Sequence, residues 1–86
     1  MVRRNSRINN FGANVSMLLA KHGMRMVDLA RELDIASSTL KGIVSRGRPR
    51  ESTLYRFAKV FDVDVVDLVK SVTPEEYGMA MIPRME

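Results

Sequence analysis

The sequence predicts an all-α domain built from five helices. Three observations lead there. Apolar residues recur at three- and four-residue spacing through residues 11–69, the repeat of a helix face. Residues that stop or break helices (Gly23, Asp34, Gly47 and Pro49) fall between those stretches. Strict alternation is confined to Tyr77, Met79 and Met81 near the C-terminal end, where it suits a short edge strand.

The elements follow in order. Residues 1–8 hold Arg3, Arg4 and Arg7 with almost nothing apolar to bury, and read as a flexible basic arm. Asn9 or Asn10 can cap a first helix, whose inner face carries Phe11, Val15, Leu18, Leu19 and His22. His22 is expected to pack or to cap the helix C-terminus, and Gly23 supplies a left-handed stop. A second helix runs from about Arg25 to Leu33, with Met26, Leu29, Ala30 and Leu33 inward. Asp34 is one of the few non-glycine residue types that enter the left-handed region, and Ile35 plugs the core from the turn.

The small clump Ala36-Ser37-Ser38-Thr39 interrupts an apolar periodicity that otherwise runs straight through. Serine and threonine hydroxyls accept hydrogen bonds from the unpaired N–H groups of a helix start, so the clump opens a third helix. Leu40, Ile43 and Val44 face inward on it; with Ala36 ahead of the serines, either Ser37 caps it or its capping is weak. Two helices joined by so short a turn meet at a steep angle, the helix-turn-helix geometry. Residues 46–52 form a loop with interleaved arginines. A fourth helix spans about Ser52 to Phe61, burying Leu54, Phe57, Ala58 and Phe61. Asp64 with Asp67 resembles a capping box that opens a fifth helix, Val65 to about Val69. Thr73-Pro74-Glu75-Glu76 has the composition of one more brief helix start.

Eighty-six residues allow one domain with a small core. Cysteine is absent, which excludes disulfides and thiolate metal sites and fits a reducing compartment. No apolar run reaches membrane-spanning length, and the basic N-terminus lacks the apolar block of a secretion signal. A cytoplasmic protein is expected. Residues 1–60 carry twelve basic and four acidic side chains, a balance of +8, while residues 61–86 carry two and six, a balance of −4. Such a division suits a polyanion-binding face with the C-terminal part turned away from it. No nucleophile, base and orienting group occur together, and no glycine-rich loop could cradle a phosphate, so no enzyme is expected. His22 has no partner at metal-ligand spacing, and the methionines read as core filler or interface. No cofactor, metal ion or small-molecule ligand is expected.

Met26 to Val44 resembles the helix-turn-helix of the phage-repressor-like (Cro/C1, or XRE) family. The matching positions are Leu29, Ala30, Leu33, Ile35, Leu40 and Ile43; Ala30 is small because the two helices cross there. TLYRFAKVFDVDVVDLV, residues 53–69, looks like that family's fourth and fifth helices. The resemblance covers roughly residues 11–70. Met26 stands where the family has glutamine, Asp34 where it has the turn glycine, and Ala36 where it has a Ser/Thr cap. The loop before Pro49 is one residue short.

The resemblance implies a lambda-repressor-like helix-turn-helix domain over residues 9–70. The arm, 1–8, precedes it, and a C-terminal extension, 71–86, follows. It implies double-stranded DNA as the partner, with a recognition helix of about residues 37–45 in the major groove. Ser37, Ser38, Lys41 and Gly42 are then expected at base edges. Thr39, Ser45, Arg46, Arg48 and Arg50 are expected at phosphates. Thr39 could equally bond its own helix start, and Lys41 could reach a guanine or a phosphate. A glycine at 42 costs the helix about 1 kcal/mol relative to alanine; it serves either a close approach of backbone to DNA or nothing. Arg3, Arg4 and Arg7 would enter the minor groove or add general electrostatic affinity. Val65, Val66 and Val69 with Tyr77, Met79 and Met81 exceed what a small core can bury, and point to a homodimer. The expected function is a Cro-like or controller-type repressor, phage or bacterial, on a palindromic operator. The alternative is a protein-interaction module of the same fold, such as an antitoxin or antirepressor.

Overall fold

A computed structural model describes residues 9–72 and gives five helices: α1 Asn10–His22, α2 Met26–Leu33, α3 Ser37–Arg46, α4 Glu51–Phe61 and α5 Val66–Val69. The expectations for residues 1–8 and 73–86, the arginine arm and the Tyr77–Met81 alternation among them, lie outside the described residues.

The core gathers one face from each helix. Phe11, Val15 and Leu19 of α1 meet Leu29, Ala30 and Leu33 of α2, Leu40 of α3, Phe57, Ala58 and Phe61 of α4, and Leu68 of α5. The rings of Phe11 and Phe57 stand edge to face with centroids 5.1 Å apart, a geometry that adds about 0.5–1.5 kcal/mol to their burial. His22 lies over Phe61 at 5.7 Å between centroids. Ile35 packs against this core from the turn, as its position predicts. Ala30 is buried on α2, the helix that packs against α3. A larger side chain there would force the two apart.

Three helix ends share one device. Gly23, Asp34 and Asp62 all take left-handed dihedrals, and the N–H of the next residue reaches back five positions. Met24 N–H donates to Leu19 O at 2.9 Å, Ile35 to Ala30 O at 3.0 Å, and Val63 to Ala58 O at 3.0 Å. With the cap residues' own N–H groups donating to Ala20 O, Arg31 O and Lys59 O, these are the paired hydrogen bonds of Schellman ends, with an apolar residue following the cap. Asp34 is expected from sequence. Asp62 is not, although Leu33-Asp34-Ile35 and Phe61-Asp62-Val63 are the same pattern twice.

Helix starts differ from expectation. The cap position of α3 is Ala36, which offers no side-chain bond, and Ser37 is already helical. Ser37 therefore does not cap the helix. α3 runs one residue further than expected, through Arg46 to a left-handed Gly47, so the loop is only residues 47–50 and Arg46 sits on the helix. α4 begins at Glu51 rather than Ser52. At α2 the Asp28 carboxylate accepts from the Arg25 side chain at 3.2 Å and from its backbone N–H at 3.0 Å. Both bonds hold the Asp28 carboxyl below the ordinary aspartate range. The Asp64–Asp67 pairing survives as half a box: Asp64 N–H donates to the Asp67 carboxylate at 3.3 Å, while the cap position falls to Val65.

Two buried or half-buried asparagines fix the end of the described chain. Asn14, 2 % exposed, donates to Lys70 O at 2.9 Å. Asn10 accepts the Val72 N–H at 3.3 Å, and Val72 is buried. A polar group this deep needs such a partner, since leaving it unpaired costs about 1–3 kcal/mol. α5 is thereby held on α1. Among the described residues no helix is long and apolar enough to cross a membrane.

Candidate nucleic-acid interface

α3 offers its outer face to solvent. Leu40 is fully buried beneath it, and Ile43 and Val44 are partly covered by the core. Ser38, Thr39, Lys41, Ser45 and Arg46 are exposed; Ser37 and Gly42 are half-buried. Arg48 and Arg50, beyond the helix end, are exposed too. Residues 35–50 contain four basic side chains and no acidic one. The ion pairs found among the described residues join Asp28 to Arg25 and Arg31, and Asp67 to Lys70. Lys41, Arg46, Arg48 and Arg50 take no part in them. Residue types at helical spacing predicted this face, and the structure brings Ser38, Lys41, Gly42 and Ser45 together on it.

The C-terminal end of α3 is fastened by a residue from the other end of the chain. The Asn9 amide donates to Val44 O at 2.7 Å and to Ser45 O at 3.2 Å. Its oxygen accepts the Gly12 N–H at 2.8 Å, capping α1. One side chain thus satisfies a donor at the start of α1 and two carbonyls at the end of α3. Two glycines make room for it. A Cβ on Gly12 would come within 2.6 Å of the Asn9 amide nitrogen, and one on Gly47 within 2.2 Å of its oxygen. Residue type leaves Asn9 or Asn10 as the α1 cap and points to nothing more for Asn9. Its second role spans 35 residues, and no local spacing encodes it.

On the other flank, Arg56 of α4 donates from its guanidinium to Leu33 O, the last carbonyl of α2. The helix pair α2–α3 is therefore held at the end of α2 and at the end of α3 by side chains outside it. An open groove beside the end of α3 is lined by Asn9, Arg46, Gly47 and Arg48.

Gly42 departs from expectation in its surroundings. It is partly covered, not bare, and its neighbour is Arg46 one turn later. A Cβ at residue 42 would lie 3.2 Å from Arg46 Nη1 and 3.8 Å from both Cζ and Nη2. The guanidinium folds back along the helix and rests where the side chain of residue 42 would be. The four-residue spacing of Gly42 and Arg46 was visible in the sequence and is the signal that could have found this contact.

Two packed helices joined by a three-residue turn, the second of them basic and free of acid, suit a DNA groove. The model of the Cro/C1-type HTH DNA-binding domain family matches residues 14–74. The chain belongs to that family. No curated protein and no solved structure matches it. The matched span takes in most of α1 and all of α2 to α5, so this Cro/C1-type domain is a DNA-binding domain across nearly its whole described length. Within it, α2 and α3 are the helix-turn-helix. Of the dimer candidates, Val66 and Val69 are exposed, at 59 % and 44 %, while Val65 is turned against the core. No group of three metal-ligating side chains occurs among the described residues.

Proposed function

We propose that this chain is a transcriptional regulator of the Cro-like or controller-type repressor kind, acting in the cytoplasm as a homodimer on a palindromic operator. The observation that carries the reading is the acid-free outer face of α3, with small residues in its middle and exposed arginines at its end. Ser37, Ser38, Lys41 and Gly42 face base edges, where serine donates or accepts and so discriminates weakly. Thr39, Ser45, Arg48 and Arg50 contact phosphates, which set register rather than sequence preference. Arg3, Arg4 and Arg7 enter the minor groove or add general electrostatic affinity for the polyanion.

The test is a salt-dependent gel shift on duplex from the gene's own upstream region. Each neutralised phosphate contributes a slope of about −0.9 in log K against log salt. Replacing Arg48 and Arg50 with alanine removes four phosphate contacts from the dimer, and is expected to flatten the slope by about 3.6 units and to weaken all sequences alike. Loss confined to one operator would make them base readers. Failure of the wild type to shift any duplex at low salt would leave the protein-interaction reading in place.

Dimerisation has its own support in Val66 and Val69, apolar and exposed on α5. Symmetric pairing through this helix sets the two recognition helices about 34 Å apart, one turn of DNA. Sedimentation is expected to show a dimer on DNA, and Val66→Asp with Val69→Asp a monomer of lower operator affinity. A wild type that sediments as a monomer at micromolar concentration, on and off DNA, removes the dimer.

A further inference from the structure

Gly42 occupies a groove-facing position of the recognition helix and has no side chain to read with. Yet the position is filled. The Arg46 guanidinium lies against it, with Nη1 3.2 Å from where a Cβ would stand. We propose that Arg46 is the principal base-reading residue of this protein, that it reads guanine, and that Gly42 exists to seat its guanidinium. The proposal rests on the DNA-binding reading above and names the specificity determinant within it. It moves Arg46 from the phosphate contacts, where its position after the helix placed it in the sequence, to the bases.

The geometry supports this in three steps. Side chains on a helix lean toward its N-terminus, so the head of residue 46 naturally covers the turn occupied by residue 42. Residue 42 offers only a Cα, so the planar head can lie close to the helix axis rather than being propped outward. That carries the charge one turn inward from the helix end, where the DNA backbone passes, to residue 42 in the middle of the reading face. Among the described residues the guanidinium takes part in no ion pair, so no carboxylate there holds it or competes with DNA for its donors. A guanidinium presents two parallel N–H groups, and in the major groove guanine alone presents the matching pair of acceptors, O6 and N7. An ammonium in the same place could make only a point contact.

The experiment is selection from a pool of randomised duplexes, followed by titration of single-base variants of the enriched site. The wild type is expected to enrich a site with one fixed guanine per half. Arg46→Lys keeps the charge and is expected to keep both the salt slope and the affinity for unrelated duplex. It should lose discrimination at that guanine alone, on the order of ten- to a hundredfold. Gly42→Ala should weaken the same base pair by lifting the guanidinium. On an Arg46→Ala background, Gly42→Ala should cost nothing further there, which separates a seat for Arg46 from a direct clash of the added methyl with DNA. Arg46→Lys that retains every base preference, or weakens all duplexes equally, overturns the proposal while leaving the DNA-binding reading intact. Failure of the wild type to enrich any site overturns both.

Discussion

Gly42→Glu is expected to fold more stably than the parent and to lose operator binding. The two halves have separate causes. Glutamate is a better helix former than glycine by roughly 0.6–0.8 kcal/mol in a helix interior. Its carboxylate stands four residues before Arg46, the favourable orientation for an ion pair, which adds about 0.3 kcal/mol. Among the described residues, the atoms a Cβ meets are the far end of the exposed Arg46 side chain, which can move aside. A gain near 1 kcal/mol raises the melting temperature of a domain this size by roughly 4–8 °C. On DNA the same carboxylate faces phosphates and captures the guanidinium. Like charges forced together at an interface cost several kcal/mol, so affinity falls on the order of a thousandfold. Thermal melts and operator titrations on one preparation measure both. A Gly42→Glu protein that binds the operator like wild type would remove α3 from the groove.

The second large effect is expected at Gly47. Gly23 and Gly47 share nearly the same left-handed backbone, φ 64° and 70°, each at a helix end. A Cβ at Gly23 meets nothing within 4 Å among the described residues, whereas one at Gly47 is driven into the Asn9 side chain. Gly23→Ala should therefore cost only the conformational penalty, about 1–2 kcal/mol. Gly47→Ala carries that penalty and also displaces Asn9, losing the cap of α1, worth about 1 kcal/mol, and two bonds to the end of α3. A total near 3 kcal/mol lowers the melting temperature on the order of 15 °C. On the proposed function, operator affinity should fall as well, because α3 is no longer fixed to α1. Asn9→Ala in the Gly47→Ala background should recover part of the loss by removing the collision. Equal melting of the Gly23→Ala and Gly47→Ala proteins would show that Asn9 does not brace α3.

Much of the fold was legible because its signals are local. The stripes of α1, α2 and α4 each fall within a few turns, and burial of Phe11, Leu29, Leu33, Phe57 and Phe61 follows from spacing alone. Gly23 and Asp34 declared their helix ends because few residue types tolerate left-handed dihedrals. The clump of small residues marks the start of α3, and of the two capping outcomes it allows, the weak one holds. Ala36 takes the cap position and offers no hydroxyl to the free N–H groups there. The end of α3 was placed one residue early, because Gly47 is the stop and Arg46 the last residue before it.

The amino-acid sequence by itself determined that this chain makes a five-helix domain, where the helix-turn-helix lies, and that its third helix is basic and free of acid on the outside. Those properties depend on residues within one or two turns of each other, where period and backbone preference act directly. Tertiary structure alone decided how that helix is held and what its face presents. Asn9 reaches Val44, Asn14 reaches Lys70 and Arg56 reaches Leu33 across 23 to 56 residues of chain. Such bonds form only once packing has brought the backbone carbonyls within reach. Arg46 lies only four residues from Gly42, but whether its head turns back over the glycine or outward depends on the space around it. Spacing permits that contact, and the three-dimensional surroundings choose it.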